Sequence, residues 1–129
     1  MRIGTFVFHS VALFSLATAS VFAANVTVQV GQNSLAQPAN AFNPQFVTIA
    51  SGDTVTFVNN SGGFHSAVSD DGTTFSSGAA STGPWTFTTP TLTATVGYHC
   101  TIHGGTGTGM FGTITVQVVP VRLQSFDVN

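Results

Sequence analysis

Charge is what this sequence has least of. Of its 129 residues, 5% are Asp, Glu, Lys or Arg, with two basic residues, Arg2 and Arg122, against four acidic ones. A phosphate-binding surface needs a basic field, so nucleic acid is excluded as a partner. A coiled coil needs charged flanking positions and is excluded with it. Cysteine is nearly absent too: Cys100 stands alone, so no intramolecular disulfide can form. Helical patterning is also missing, because no window spaces its apolar residues at helical intervals between caps, and Thr and Val crowd the positions a helix would give to Ala, Leu and Glu. Disorder does not fit either, since 43% of residues are hydrophobic and the formal charge is only -2. A chain this short is one domain.

The first residues read as an address. Met1-Arg2 gives a short positive start, Ile3 to Val21 is apolar, and Val21-Phe22-Ala23 offers small residues where a signal peptidase reads. Residues 1–23 are therefore expected to be a cleaved secretory signal. A membrane anchor is disfavoured, because His9, Ser10, Ser15, Thr18 and Ser20 interrupt the apolar run and no basic stop-transfer residue follows. The mature chain is expected to start at Ala24 or Asn25, to keep about 106 residues and to have no membrane span. Periplasm is the expected location, with secretion or the cell surface as the other exported fates. A lone thiol in an oxidising compartment pairs with another chain, is buried and inert, or is held as thiolate by a metal.

Short strands dominate what remains. Asn25 to Val30 alternates, Phe46 to Ala50 and Thr54 to Asn59 flank the turn Ser51-Gly52-Asp53, and further runs span Phe64 to Ser69, Trp85 to Thr89, Thr93 to Cys100 and Gly112 to Val119. About seven strands in such a chain predict an all-β sandwich. The domain is expected over residues 24–119, with Pro120 to Asn129 as a tail. A period of two places Tyr98 and Cys100 on one face of their strand and His99 on the other. The stretch from Cys100 to Met110 is expected to be a loop at one end of the sandwich.

That stretch reads Cys100-Thr101-Ile102-His103-Gly104-Gly105-Thr106-Gly107-Thr108-Gly109-Met110. It offers a thiolate, an imidazole and a thioether, and two histidines with a cysteine and a weak axial methionine make the blue-copper arrangement. The second imidazole must come from elsewhere. Beyond the signal only His65, His99 and His103 remain, and His99 faces away from Cys100, which leaves His65. Singly, each residue has a plainer role: Cys100 a small core group, Met110 a gap filler, the histidines polar loop residues. Gly107-Thr108-Gly109-Met110-Phe111-Gly112 matches a dinucleotide fingerprint but leads into an alternating strand instead of a helix, so it is discarded.

Phe42-Asn43-Pro44, Ser51 to Asn60, Phe64-His65, Tyr98 to His103 and Gly109 to Gly112 together resemble the plastocyanin and azurin family of cupredoxins, in the family's order and over most of the mature chain. The resemblance implies a Greek-key sandwich of seven to eight strands binding one copper ion through His65, Cys100, His103 and Met110, with His65 delivered from the sheet opposite Cys100. It implies a one-electron carrier cycling Cu(I)/Cu(II), expected to be exported and a monomer. An enzyme is not expected, because copper enzymes that use this domain need additional His-rich copper sites and only three His remain beyond the signal. His103 would be the electron exit, and a redox partner protein would dock on an apolar patch near His103, Gly104, Gly105, Met110 and Phe111. Phe64 and Phe111 would supply the apolar shell. Copper delivery on the same fold is the alternative, and a metal-free scaffold a further one. The chain departs from the family's pattern in three places: the spacer from Gly104 to Gly109 is longer than usual, Ser66 stands where Asn is common, and Thr89 to Thr95 lacks the family's usual glycine turn. His99 stands where relatives often have Tyr. It is expected to be a solvated histidine, with a second electron path as the other reading, and Asp70-Asp71-Gly72 is expected to be a polar turn.

Overall fold

The computed structural model describes residues 24–32, 34, 35 and 38–118. The expected signal segment and the tail from Pro120 lie outside the described residues. Eight strands run in order: β1 Asn25–Val30, β2 Phe42–Asn43, β3 Phe46–Ala50, β4 Thr54–Asn59, β5 Val68–Ser69, β6 Trp85–Thr88, β7 Val96–Gly105 and β8 Thr108–Gln117. They form two four-stranded sheets, ordered β2-β1-β4-β6 and β3-β8-β7-β5. The pairs β1 with β4 and β3 with β8 are parallel, and the other neighbours are antiparallel. No helix among the described residues is long and apolar enough to cross a membrane.

Alternation builds the core. In β4 every second residue, Val55, Phe57 and Asn59, is buried, and β1, β3, β7 and β8 bury Val28 and Val30, Val47 and Ile49, Tyr98 and Cys100, and Met110 and Ile114. The two inner faces meet at Tyr98, whose ring lies 4.8 Å from Phe42 and 5.0 Å from Phe57, both edge to face. A buried phenol needs a partner, and its hydroxyl donates to the Gln45 carbonyl at 3.0 Å. Burial raises the Tyr98 pKa far above the usual phenol range.

Several strand limits differ from the sequence reading. The run Phe64 to Ser69 shrinks to Val68–Ser69, the strand expected from Thr93 starts at Val96, and Phe42–Asn43 adds a short edge strand. The largest correction concerns the stretch between Cys100 and Met110, which is a β-hairpin and not a loop. β7 runs on to Gly105, β8 begins at Thr108, and Gly104 pairs with Gly109 across the ladder. Glycines normally weaken strands, but a Cβ on Gly104 would lie 2.6 Å from the Met110 backbone nitrogen, so the close approach of the two chains requires glycine there. Gly107, with φ +68, then supplies the positive φ that the tip demands.

Candidate metal centre

The hairpin ladder is broken at one place. His99 pairs with Phe111, and the next pair is Gly104 with Gly109, so the four residues Cys100 to His103 stand opposite Met110 alone. Bulges of this kind re-aim side chains beside functional sites. Here the bulge aims Cys100 and His103 at a common point, and Met110 is buried on the inner face of the facing strand at 1% exposure.

His65 comes from neither sheet. It lies in the crossover that carries the chain from β4 in one sheet to β5 in the other, which corrects the expectation of delivery by the sheet opposite Cys100. Its backbone is fixed twice: His65 N–H donates to the Ser81 carbonyl and Ser81 N–H donates to the His65 carbonyl, both at 3.0 Å. Upstream, the buried Asn59 side chain accepts from Ser61 N–H at 2.9 Å and from the Ser61 hydroxyl at 2.7 Å, setting the turn that enters the site. The imidazole is wedged between two glycines: a Cβ on Gly63 would sit 2.6 Å from its Nε2, and one on Gly31 would also collide with Nε2. Gly31 and Gly63 were missed in the sequence, where Gly62-Gly63 directly before Phe64-His65 was the available signal of close backbone approach. Gly63→Ala should therefore rotate or displace His65. We expect the folded variant to bind copper at least tenfold more weakly than the native chain, measured by competition with a chelator.

The donor atoms converge. His103 Nδ1 lies 3.2 Å from His65 Nδ1 and 3.6 Å from Cys100 Sγ, and the three ligand atoms all lie within 4.8 Å of one another. Those separations suit two nitrogens and one sulfur sharing an ion at bond lengths of about 2.0 and 2.3 Å. Cys100 and His65 are buried at 0% and 2% exposure, while His103 is half-buried. Burial, and secondarily the neighbouring His103, lowers the His65 pKa below the usual histidine value. A depressed pKa keeps the imidazole neutral with its lone pair free for a metal, as ligation requires. A soft thiolate with two imidazoles is a copper-type donor set.

The family follows from one more observation: a model of copper binding proteins of the plastocyanin/azurin family matches residues 24–117. The chain belongs to this family. Copper is the cofactor of this cupredoxin, and the His65, Cys100 and His103 cluster is able to hold it. The chain is 38% identical to plastocyanin of Scenedesmus fuscus over 72% of its own length and 100% of that protein's. Among solved structures it is similar to a pseudoazurin from Sinorhizobium, with 26% identity, 72% of this chain and 73% of that one covered, and a TM-score of 0.53. It is also similar to a copper-containing nitrite reductase from Thermus scotoductus, with 25% identity and a TM-score of 0.54; there the match covers 81% of this chain but only 25% of that one.

The remaining site residues divide. Ser66, fully buried, accepts from Thr101 N–H at 3.0 Å, bonds the Thr101 hydroxyl at 3.0 Å and lies 4.0 Å from Cys100 Sγ, so it ties the His65 crossover to the Cys100 strand. Phe64 and Phe111 do not form an apolar shell. Phe64 is 58% exposed, and Phe111, one residue from the inward Met110, stacks edge to face on Phe46 at 6.2 Å on the outer surface. Met110 is too deeply buried to join a surface patch. His99 is not simply solvated: its Nδ1 lies 2.6 Å from the Asp70 carboxylate, with both side chains 20% exposed. Gly97 makes room for this pair, since a Cβ there would strike Asp70. Asp70-Asp71-Gly72 is the expected turn, and Asp71 caps it by accepting from Thr73 and Thr74 N–H, both at 2.9 Å. Hydrogen bonds from Thr74, Thr73 and Ser69 hold the Asp71 pKa well below the carboxylate range.

Proposed function

We propose that this cupredoxin is an exported one-electron carrier whose copper is held by His65, Cys100, His103 and Met110. The observation that carries the reading is the preformed soft donor set where the bulge meets the His65 crossover, with His65 and Cys100 buried, His103 half-buried and the His65 backbone pinned to Ser81. Bound copper supplies a one-electron couple. The chain's part is to keep the donors still: His65 is pinned to Ser81, Ser66 straps the crossover to Thr101, and the hairpin closes above the bulge. Donors that do not move between oxidation states keep reorganisation small.

His103 offers the route outward, because its Nδ1 faces the cluster while the residue is only half-buried. The neighbours in sequence of the two histidines, Phe64 and Ile102, are exposed at 58% and 56%. They support a small apolar docking patch for a redox partner protein at this end, with Phe64 and Ile102 in the places first given to Met110 and Phe111. Burial of His65, Cys100 and Met110 favours carrying electrons over handing on the metal, since a donor of metal must expose its ligands to the acceptor.

Titration of the purified mature protein with Cu(II) tests this. One equivalent should produce an intense thiolate-to-copper band in the visible and an EPR spectrum with small copper hyperfine splitting. The reduced and oxidised forms, mixed, should then exchange electrons faster than copper leaves to a chelator. A colourless product would sink the copper-site assignment, and loss of metal faster than electron exchange would replace the carrier by a copper-handling function.

A further inference from the structure

The first described residue makes a contact that the copper site does not use. β1 and β4 run parallel with Asn25 beside Thr54, so one residue earlier on each strand Ala24 meets Asp53. Ala24 N donates to Asp53 Oδ1 at 2.8 Å, and Thr54 N–H donates to the Ala24 carbonyl at 3.1 Å. The carboxylate is held ready for this contact. Its other oxygen accepts from Ala50 N–H at 3.1 Å, and Asp53 N–H closes the same turn onto the Ala50 carbonyl at 3.1 Å.

Asp53 is only 8% exposed. Buried carboxylates are normally paired with a cation, yet Arg2 and Arg122 are the only Arg or Lys residues in the sequence and neither is among the described residues. No side chain among the described residues can therefore supply a permanent positive charge. The nitrogen that touches Asp53 belongs to the residue directly after Ala23, the last residue of the expected signal.

We infer that cleavage of the Ala23–Ala24 bond creates a cation at this carboxylate, and that Asp53 is a receptor for the new N-terminus. Hydrolysis by a signal endopeptidase adds water across the amide. The carboxyl group stays on Ala23, and the Ala24 nitrogen leaves as an amine that takes up a proton. An α-amine with its usual pKa of about 8 is mainly ammonium at neutral pH. The neutral N–H···carboxylate bond becomes an ion pair at the same atoms, and charge-assisted hydrogen bonds are roughly twice as strong as neutral ones. The other ammonium protons face water, because Ala24 is exposed. Only a start at Ala24 forms this pair: a chain beginning at Asn25 would lose the donor at Oδ1 and the acceptor of Thr54 N–H together. This inference rests on the export reading.

Two experiments separate the inference from that reading. The full chain, with its own first 23 residues, is expressed in an exporting bacterium, and the mass of the exported protein gives its N-terminus. The expected start is Ala24. A start at Asn25 or elsewhere overturns the inference while export stands, whereas a chain left uncut in the cytoplasm overturns the export reading itself. The copper-loaded protein beginning at Ala24 is then compared with one carrying a single extra N-terminal alanine, each with Asp53 and with Asp53→Asn. The extra residue should lower the unfolding midpoint by about 4 °C in the Asp53 pair and hardly at all in the Asp53→Asn pair. Equal differences in both backgrounds, or none in either, overturn the ion pair. If Asp53→Asn does not fold, an NMR titration of the Ala24 amine decides: its pKa should lie above the usual α-amino value, and an ordinary value overturns the proposal.

Discussion

Cys100→Ser should leave a folded, colourless protein. Serine is nearly isosteric and the position is fully buried inside β7, next to inward-facing Tyr98 and Ser66, so packing changes little and the unfolding midpoint of the metal-free protein should stay within a few degrees. The site, however, loses its only anionic donor. A serine hydroxyl remains protonated at neutral pH, so it gives the metal neither the covalent bond nor the charge of a thiolate. The visible band should vanish, the EPR spectrum should take on the large hyperfine splitting of ordinary Cu(II), and copper affinity should fall by several orders of magnitude. Absorption, EPR and a chelator competition on the one variant check all three. An unchanged visible band would mean that Cys100 is not the thiolate donor.

Tyr98→Ala should lower the stability of the folded domain severely. The ring is fully buried where the two sheets meet, in contact with Phe42 and Phe57 and 6.3 Å from Phe75. Truncating a buried large aromatic to alanine typically costs about 3–5 kcal/mol, which for a domain of this size lowers the midpoint by roughly 15 °C or more. Removing the hydroxyl alone is a smaller change. Gln45's carbonyl still accepts from Thr113 N–H at 3.2 Å, so Tyr98→Phe should cost about 1 kcal/mol. Thermal unfolding of both variants distinguishes cavity from hydrogen bond. Comparable losses in the two would place the stabilising interaction in the hydroxyl and not in the ring.

How far the sequence could be read depended on how local the governing physics was. Strand alternation is local, so the inward direction of Tyr98, Cys100 and Ile114 was legible, as was the all-β class. The convergence of His65, Cys100 and His103 was legible because so few soft donors exist in the chain that elimination could select them. Cross-strand facts were not. Glycine-rich sequence signals a loop by composition, and only the approach of Gly104 to Met110 across the ladder shows that these glycines serve a hairpin. The pairing of His99 with Asp70 joins residues far apart in sequence through the β5–β7 edge, where no motif reports it. The docking patch near Met110 and the shell role of Phe111 could not be sorted for one reason: treating the segment as a loop forfeits the alternation that turns Met110 in and Phe111 out.

The hairpin that closes above the bulge changes what the distance between His103 and Met110 means. In an unstructured connection the number of intervening residues is the ruler that sets how far the sulfur stands from the imidazole. Here the ruler is the rung joining Gly104 to Gly109, and everything beyond it, through Thr106 and Gly107, is overhang. Residues added in matched pairs at that tip should lengthen the overhang and leave Cys100, His103 and Met110 where they are. The centre is thus indifferent to the length of its own connection, and the tip is a place where this chain can accept new sequence, a recognition peptide or a surface anchor, without renegotiating its chemistry.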